Sequence, residues 1–288
     1  MRVLIPGGDG MLGHQLLRHF AREHDVRVTL RLAPGAYGQY GLFSPANAYY
    51  GIDVRAEHAL AAVLADFRPH AVINAVGIVK QQPTASESIP SIAINSLFPH
   101  QLALLCADVG ARLVHISTDC VFSGSRGNYR ESDRTDPDDL YGMTKLLGEV
   151  RSANCLTLRT SIVGRELARK KSLLEWFLAQ RGTVKGYRRA IYTGFTTREM
   201  ARIIERILLR PAAAGIYHVS SDPISKYDLL CLVRDQLGLP VEVVPDDEVR
   251  MDRSLDSTRF RRDFDYIPPS WDAMIGELAA EIRAENKQ

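Results

Sequence analysis

Cysteine is scarce: Cys106, Cys120, Cys155 and Cys231 are the only four in 288 residues, and no C-x-x-C or metal-ligand spacing relates them. That argues against a disulfide framework and a structural zinc site, and each thiol is expected to pack as a small apolar group. The eight histidines include no H-E-x-x-H pair, so no catalytic metal is expected. His115, inside Leu113-Val114-His115-Ile116, reads as a core residue with a satisfied ring. Charge of one sign is lacking too. The formal excess is only +2, which gives no reason to expect a nucleic-acid partner. The short runs Arg169-Lys170-Lys171 and Arg188-Arg189 read as solvated faces that could also serve an anionic substrate. No apolar run approaches the roughly 20 residues of a membrane span, and no basic leader is seen. The expectation is therefore no membrane and a cytoplasmic location. Serine- and glycine-rich linkers, repeats and low-complexity segments are absent as well. With 45% apolar and 24% charged residues, disordered and fibrous classes are excluded.

What is present begins at the N-terminus. Arg2-Val3-Leu4-Ile5 reads as a buried strand, and His14 to Phe20 carries apolar residues at helical spacing. Between them Gly7, Gly10 and Gly13 fall in G-x-x-G-x-x-G, with Gly8 in the interval. A glycine turn between strand and helix lets a pyrophosphate approach the main chain and meet the free N–H groups and positive dipole of the helix. The plain alternative is an ordinary tight turn.

Strand and helix then alternate. Val26 to Leu30 reads as a second strand, followed by Arg31 where an NAD-preferring fold usually places a carboxylate; a guanidinium favours the ribose phosphate of NADP. Residues 34 to 51 look like a loop. Arg55 to Phe67 is helical by period, and Ala71 to Gly77 is a strand whose carboxyl end, with Asn74, Ala75 and Gly77, is where open α/β sheets bind ligands. Ser91 to Asp108 is helical with Pro99 inside it, which leaves the Asn95 carbonyl free either to hold a water or as part of a packing kink. Arg112 to Ile116 and Leu156 to Ser161 are strands, and Leu140 to Arg151 is a helix. The class is α/β, a Rossmann-type doubly wound parallel sheet over residues 1–161, completed by parts of 190–221. Residues 162–288 are mainly a smaller C-terminal substrate-binding lobe, with helices at Ser172 to Gln180, Thr197 to Leu209 and Ser225 to Leu237 and short strands at Gly215 to Val219 and Val241 to Val244.

The chemistry is expected at Tyr141 and Lys145, four apart and so on one helix face. An ammonium beside a phenol lowers its pKa and makes it a usable acid or base. Thr118 ends a strand 23 residues upstream, where its hydroxyl can share a substrate oxygen with Tyr141.

These pieces resemble the extended short-chain dehydrogenase/reductases, and within them the dTDP-4-dehydrorhamnose reductase group of sugar-nucleotide reductases. The matching segments are GGDGMLG at 7–13, NAVG at 74–77, STDCVFSG at 117–124, YGMTKLLGE at 141–149, LRTSIVG at 158–164, GIYHVSS at 215–221 and LDSTRFRRDFDYIPPSW at 255–271. The resemblance implies NADPH, with NAD as the alternative. Its pyrophosphate would lie at Gly7, Gly8, Gly10, Met11, Leu12 and Gly13, with Arg31 on the ribose phosphate and Asp53 and Val54 framing the adenine. Asn74, Ala75, Val76, Gly77, Asn95, Ser117 and Tyr141 complete the implied cofactor set, and Lys145 binds the nicotinamide ribose. Hydride would pass to a keto carbon of a nucleotide-activated deoxysugar, with Tyr141 as proton donor, Thr118 holding the oxygen, and Arg159 or Lys170 meeting the sugar diphosphate. A homodimer is left open.

Two positions depart from the group: Cys120 stands where it has a tyrosine, and Ile162 where it has a tryptophan that packs on the substrate. The reaction class is thus better supported than the sugar. Rival readings are an epimerase of the same superfamily, disfavoured by Arg31, and a non-catalytic regulatory NADP-binding subunit, disfavoured by the intact Thr118, Tyr141 and Lys145.

Overall fold

The computed structural model describes residues 1–80, 86–210 and 212–285. Its frame is a seven-stranded parallel sheet. Strands β1 (Arg2–Pro6), β2 (Asp25–Thr29) and β3 (Ala48–Tyr49) run outward on one side. The chain then crosses to β4 (Ala71–Asn74), β5 (Arg112–Ile116) and β6 (Cys155–Arg159) on the other. With β11 (Gly215–His218) at one edge, the order is β11-β6-β5-β4-β1-β2-β3, so direction reverses between β1 and β4. A crevice opens at such a reversal beyond the carboxyl ends of the strands, and this fixes where a ligand can sit. Val3, Leu4 and Ile5 are wholly buried, because helices cover both faces of the central strand.

Helix α1 (Met11–Phe20) starts directly after Gly10, three residues ahead of the apolar period at His14. The glycine-rich stretch 34–51, which reads as a loop, contains two 3₁₀ turns and the edge strand β3, paired to β2 at Val28–Ala48 and Thr29–Tyr49. Two residues are too short for an alternating pattern to show. Helix α2 (Glu57–Phe67) packs Leu60, Val63, Leu64 and Phe67 on the face opposite α1.

The next helix begins at Ser88. It runs through α3 (Ser88–Ser91), a π-helical segment at Ile92–Leu97, and α4 (Phe98–Asp108). Widening just ahead of Pro99 accommodates a ring that would clash in a regular helix. The whole Ser88–Asp108 span has a mean hydropathy of 1.3 in its most apolar window, which corrects the expectation that no segment approaches spanning length. Here it seats Phe98, Leu102, Ala103 and Cys106 in the core under the sheet.

Helix α5 (Leu140–Leu147) is opened by the Asp139 side chain, which accepts from the Gly142 N–H, and stops at Gly148, short of the Arg151 suggested by period. After it come the short β7 (Ile162–Val163) and α6 (Leu173–Leu178). The strands β8 (Gly182–Tyr187), β9 (Ala190–Tyr192) and β10 (Phe195–Thr196) follow. Helix α7 (Thr197–Leu208) returns to the main sheet, laying Met200, Ile203, Ile204 and Ile207 in the core beside α1. The seventh strand of that sheet is β11 (Gly215–His218), beyond residue 161.

The remaining elements are β12 (Ile224–Ser225), α8 (Lys226–Leu237), β13 (Val241–Asp246), β14 (Met251–Asp252), α9 (Thr258–Phe264) and α10 (Trp271–Glu285). β13 pairs with β8 in parallel, while β9 is flanked by β12 and β14.

Candidate active site

The glycine turn has the shape an anion requires. Gly7 takes φ +84°, open to glycine at no steric cost. A methyl on Gly13 would stand 2.0 Å from the Gly7 carbonyl oxygen, and one on Gly8 would stand 2.4 Å from Val28. Only hydrogen at these two positions lets helix, turn and strand close together. Gly10 caps α1 without a side chain, so the first-turn N–H groups face an opening rather than a hydroxyl or carboxylate. These observations fit a dinucleotide diphosphate.

Beyond the turn lies a cleft of about 600 Å³. Asp9, Gly10, Met11 and Leu12 line it from the glycine turn and the start of α1, with Asn74, Ala75, Val76, Gly77, Ser117 and Thr118 at or just past the strand ends and Tyr141 and Lys145 on α5. The second lobe contributes Ile162, Arg169, Lys171, Ile191, Tyr192, Lys226, Met251 and Arg253. Arg31, Asp53, Val54 and Asn95 lie outside this cleft. Arg31 is exposed just after β2 and makes no ion pair among the described residues. Asp53 is held by Arg55, whose Nε donates to it at 3.0 Å, and this contact brings its pKa down to about 2. Val54 packs at the edge of the core under α2.

Asn74 and Asn95 organise the backbone of the site. The Asn74 side chain donates to His115 Nδ1 at 3.1 Å and accepts from the Val76 N–H at 3.1 Å. Among the described residues His115 is thereby bonded at one nitrogen, and its buried Nε2 has no partner, which corrects the expectation of a satisfied ring. Complete burial holds that imidazole neutral. Asn95 forms a two-way clamp on Ile78, accepting from its N–H at 2.9 Å and donating to its carbonyl at 3.0 Å. It thus fixes the strand-end loop that carries Gly77.

Thr118, Tyr141 and Lys145 converge in the cleft. The Thr118 hydroxyl donates to Asp119 at 3.1 Å and accepts from the Cys120 N–H. Burial raises the pKa of Tyr141, the charges of Cys120 and Asp119 push the same way, and the hydrogen bond with Thr118 opposes them. The Lys145 Nζ donates to the Ile116 carbonyl at 2.6 Å. The expected lowering of the Tyr141 pKa by Lys145 is therefore corrected for this geometry, because desolvation outweighs a cation that is bonded elsewhere. A protonated phenol suits donation of a proton rather than its removal. Lys145 itself is lowered to about 8 by burial, with Glu149 opposing.

Neither cation expected to meet a diphosphate reaches the cleft. Arg159 is 2% exposed and forks onto Glu149, Nε to Oε1 at 2.7 Å and Nη2 to Oε2 at 2.8 Å. Lys170 donates to the Glu166 carbonyl and to Glu175. Their exposed neighbours Arg169 and Lys171 line the cleft instead, together with the half-buried Lys226 and the buried Arg253. Arg253 donates to the Phe122 carbonyl at 2.9 Å, to Asp138 at 3.0 Å and towards the Cys120 sulfur at 3.3 Å. Burial lowers the pKa of Lys226 against the pull of Asp119. Sequence reasoning missed Lys226 and Arg253, more than 80 residues past Tyr141 and marked by no motif. Asp9 was in plain view inside the glycine turn, where it accepts from the Tyr37 hydroxyl at 3.2 Å.

A family model described as RmlD substrate binding domain matches residues 1–284. The chain belongs to this family. It is 28% identical over 309 residues to the dTDP-4-dehydrorhamnose reductase of Salmonella typhimurium, covering 98% of each. It is also 27% identical over 257 residues to methionine adenosyltransferase 2 subunit beta of Bos taurus, covering 83% of this chain and 73% of that protein. Among solved structures, the dTDP-4-dehydrorhamnose reductase of Bacillus anthracis in complex with NADP shares the fold, with a TM-score of 0.79 and 22% identity over 97% of this chain and 99% of that one. The chain has the Rossmann-type fold of the extended short-chain dehydrogenase/reductases.

Proposed function

We propose that the protein reduces a keto group on a nucleotide-activated deoxysugar with NADPH, NAD(H) being the alternative cofactor. The observation that carries this reading is the meeting of Thr118, Tyr141 and Lys145 in one cleft that also opens onto the uncapped start of α1. Bound NADPH supplies hydride to the substrate. Thr118 and Tyr141 hold the substrate oxygen, and the buried, protonated phenol gives it a proton. Lys145 orients the nicotinamide ribose. Arg169 and Lys171 at the rim meet the sugar diphosphate, in place of Arg159 and Lys170. The reading is supported by the family match and by the NADP-bound structural relative.

The protein on this reading works in the cytoplasm, where its four free thiols are at home. A homodimer belongs to the same reading. Its support is an apolar face on two neighbouring helical segments, with Leu97, Leu104, Met143 and Leu147 all exposed.

The test is turnover of NADPH with a panel of dTDP- and UDP-linked 4-keto sugars. Loss of nicotinamide absorbance that depends on the sugar supports the reductase. None across the panel, with the protein folded and NADPH bound, favours the second reading. In that reading the chain is a regulatory nucleotide-binding subunit, and its similarity to methionine adenosyltransferase 2 subunit beta speaks for it.

A further inference from the structure

Helix α5 ends at Gly148, and the chain turns inward at once, so that Glu149 is only 8% exposed. Its carboxylate collects donors from two strands. Ser117 Oγ, just past the end of β5, donates to Oε1 at 2.9 Å, and Arg159, the last residue of β6, occupies both oxygens. Arg159 in turn donates from Nη1 to His218 Nε2 at 3.2 Å, and His218 Nδ1 donates to the Tyr129 carbonyl at 3.0 Å. Four residues before Glu149, Lys145 binds the carbonyl of Ile116, the neighbour of Ser117. The same end of one helix thus grips adjacent residues of one strand end, and Thr118 is the next residue along.

We propose that Glu149 is a positioning residue, which fixes the helix end bearing Lys145 against the strand end bearing Thr118 and so sets the site for nucleotide and substrate. A buried ion pair seldom adds stability over apolar packing of the same volume, so its cost needs another return, and register between these two elements is what the geometry supplies. The groups whose charge couples to Lys145 are Glu149 on its own helix segment and His115 on β5, the latter held neutral. Glu149 also favours the charged form of Lys145 against burial. The proposal rests on the dinucleotide reading in taking Lys145 as a group that holds the ribose.

The test is the NADPH dissociation constant, read by nicotinamide fluorescence between pH 6 and 10 for the whole chain and two variants. In the wild type, affinity should fall as pH rises through about 8, where the ammonium discharges. Glu149→Gln should move that fall to lower pH by about half a unit or more, since a charge that favours the ammonium is gone. Ser117→Ala keeps the ion pair and the fold but frees the strand end, so it should weaken binding about fivefold, the worth of one hydrogen bond, without moving the midpoint. Wild-type constants and midpoint in either variant that folds, by circular dichroism, would overturn the proposal. Absence of NADPH binding by the wild type at every pH would instead overturn the dinucleotide reading beneath it.

Discussion

Gly148 lies so close to Asn95 that a methyl group on it would stand 1.9 Å from the Asn95 carbonyl oxygen. Pro99, four residues after Asn95, has no N–H to offer that oxygen. The π-helical stretch and the end of α5 are therefore packed backbone to backbone, and the contact is reinforced by Ser96 Oγ donating to the Thr144 carbonyl at 2.8 Å. Backbone angles at Gly148 are ordinary, with φ −87°, so glycine is needed for space. Gly148→Ala should destabilise the protein by about 1–3 kcal/mol, the cost of overfilling a packed contact. Thermal denaturation reads this out, and an unchanged Tm would show that the two segments separate easily.

Replacing Tyr141 with Phe removes the proton donor and leaves the glycine turn intact. Turnover should fall about 10²- to 10⁴-fold, the range for losing a general acid, while NADPH affinity stays near wild type. Steady-state rates beside a binding titration give both numbers. A rate near wild type would transfer the proton to another group.

Arg31 stands exposed after β2 and makes no ion pair among the described residues. Arg31→Asp should shift the ratio of NADPH to NADH affinity about tenfold or more towards NADH, since a charged hydrogen bond to the ribose phosphate is lost and a repulsion gained. Titrations with both cofactors measure it. An unchanged ratio would assign the phosphate to a different group.

The rim cations separate two neighbours. Lys171→Gln or Arg169→Gln should raise the KM of a sugar-nucleotide substrate about two- to fivefold with kcat nearly constant, as expected for exposed charges. Lys170→Gln should change KM less, because the Lys170 amine is held by the Glu166 carbonyl and by Glu175. Equal effects of all three would mean that the rim responds only to net charge.

The main sheet was legible because its strands are short apolar runs between helices of regular period, and Thr118, Tyr141 and Lys145 were legible from chain order and spacing. Burial was not. Four-residue spacing puts Tyr141 and Lys145 on one face, yet says nothing of the Ile116 carbonyl that takes the ammonium, or of the desolvation that raises the phenol. Arg159 looked like a free cation because its partner Glu149 is ten residues back and on another element. The second lobe was read least fully: β8 and β13 pair across a separation of 59 residues, as at Thr183–Glu242, and neither Lys226 nor Arg253 announces that it lines the cleft.

Hydride transfer is the central claim, and isotope transfer tests it most directly. NADPH carrying deuterium at nicotinamide C4 is incubated with the protein and each 4-keto sugar nucleotide of the panel, and the sugar product is weighed by mass spectrometry. The account predicts one deuterium on the former keto carbon of at least one panel member, appearing about 10²- to 10⁴-fold more slowly in Tyr141→Phe. A protein that binds both NADPH and sugar nucleotide yet transfers no label to any of them would contradict it.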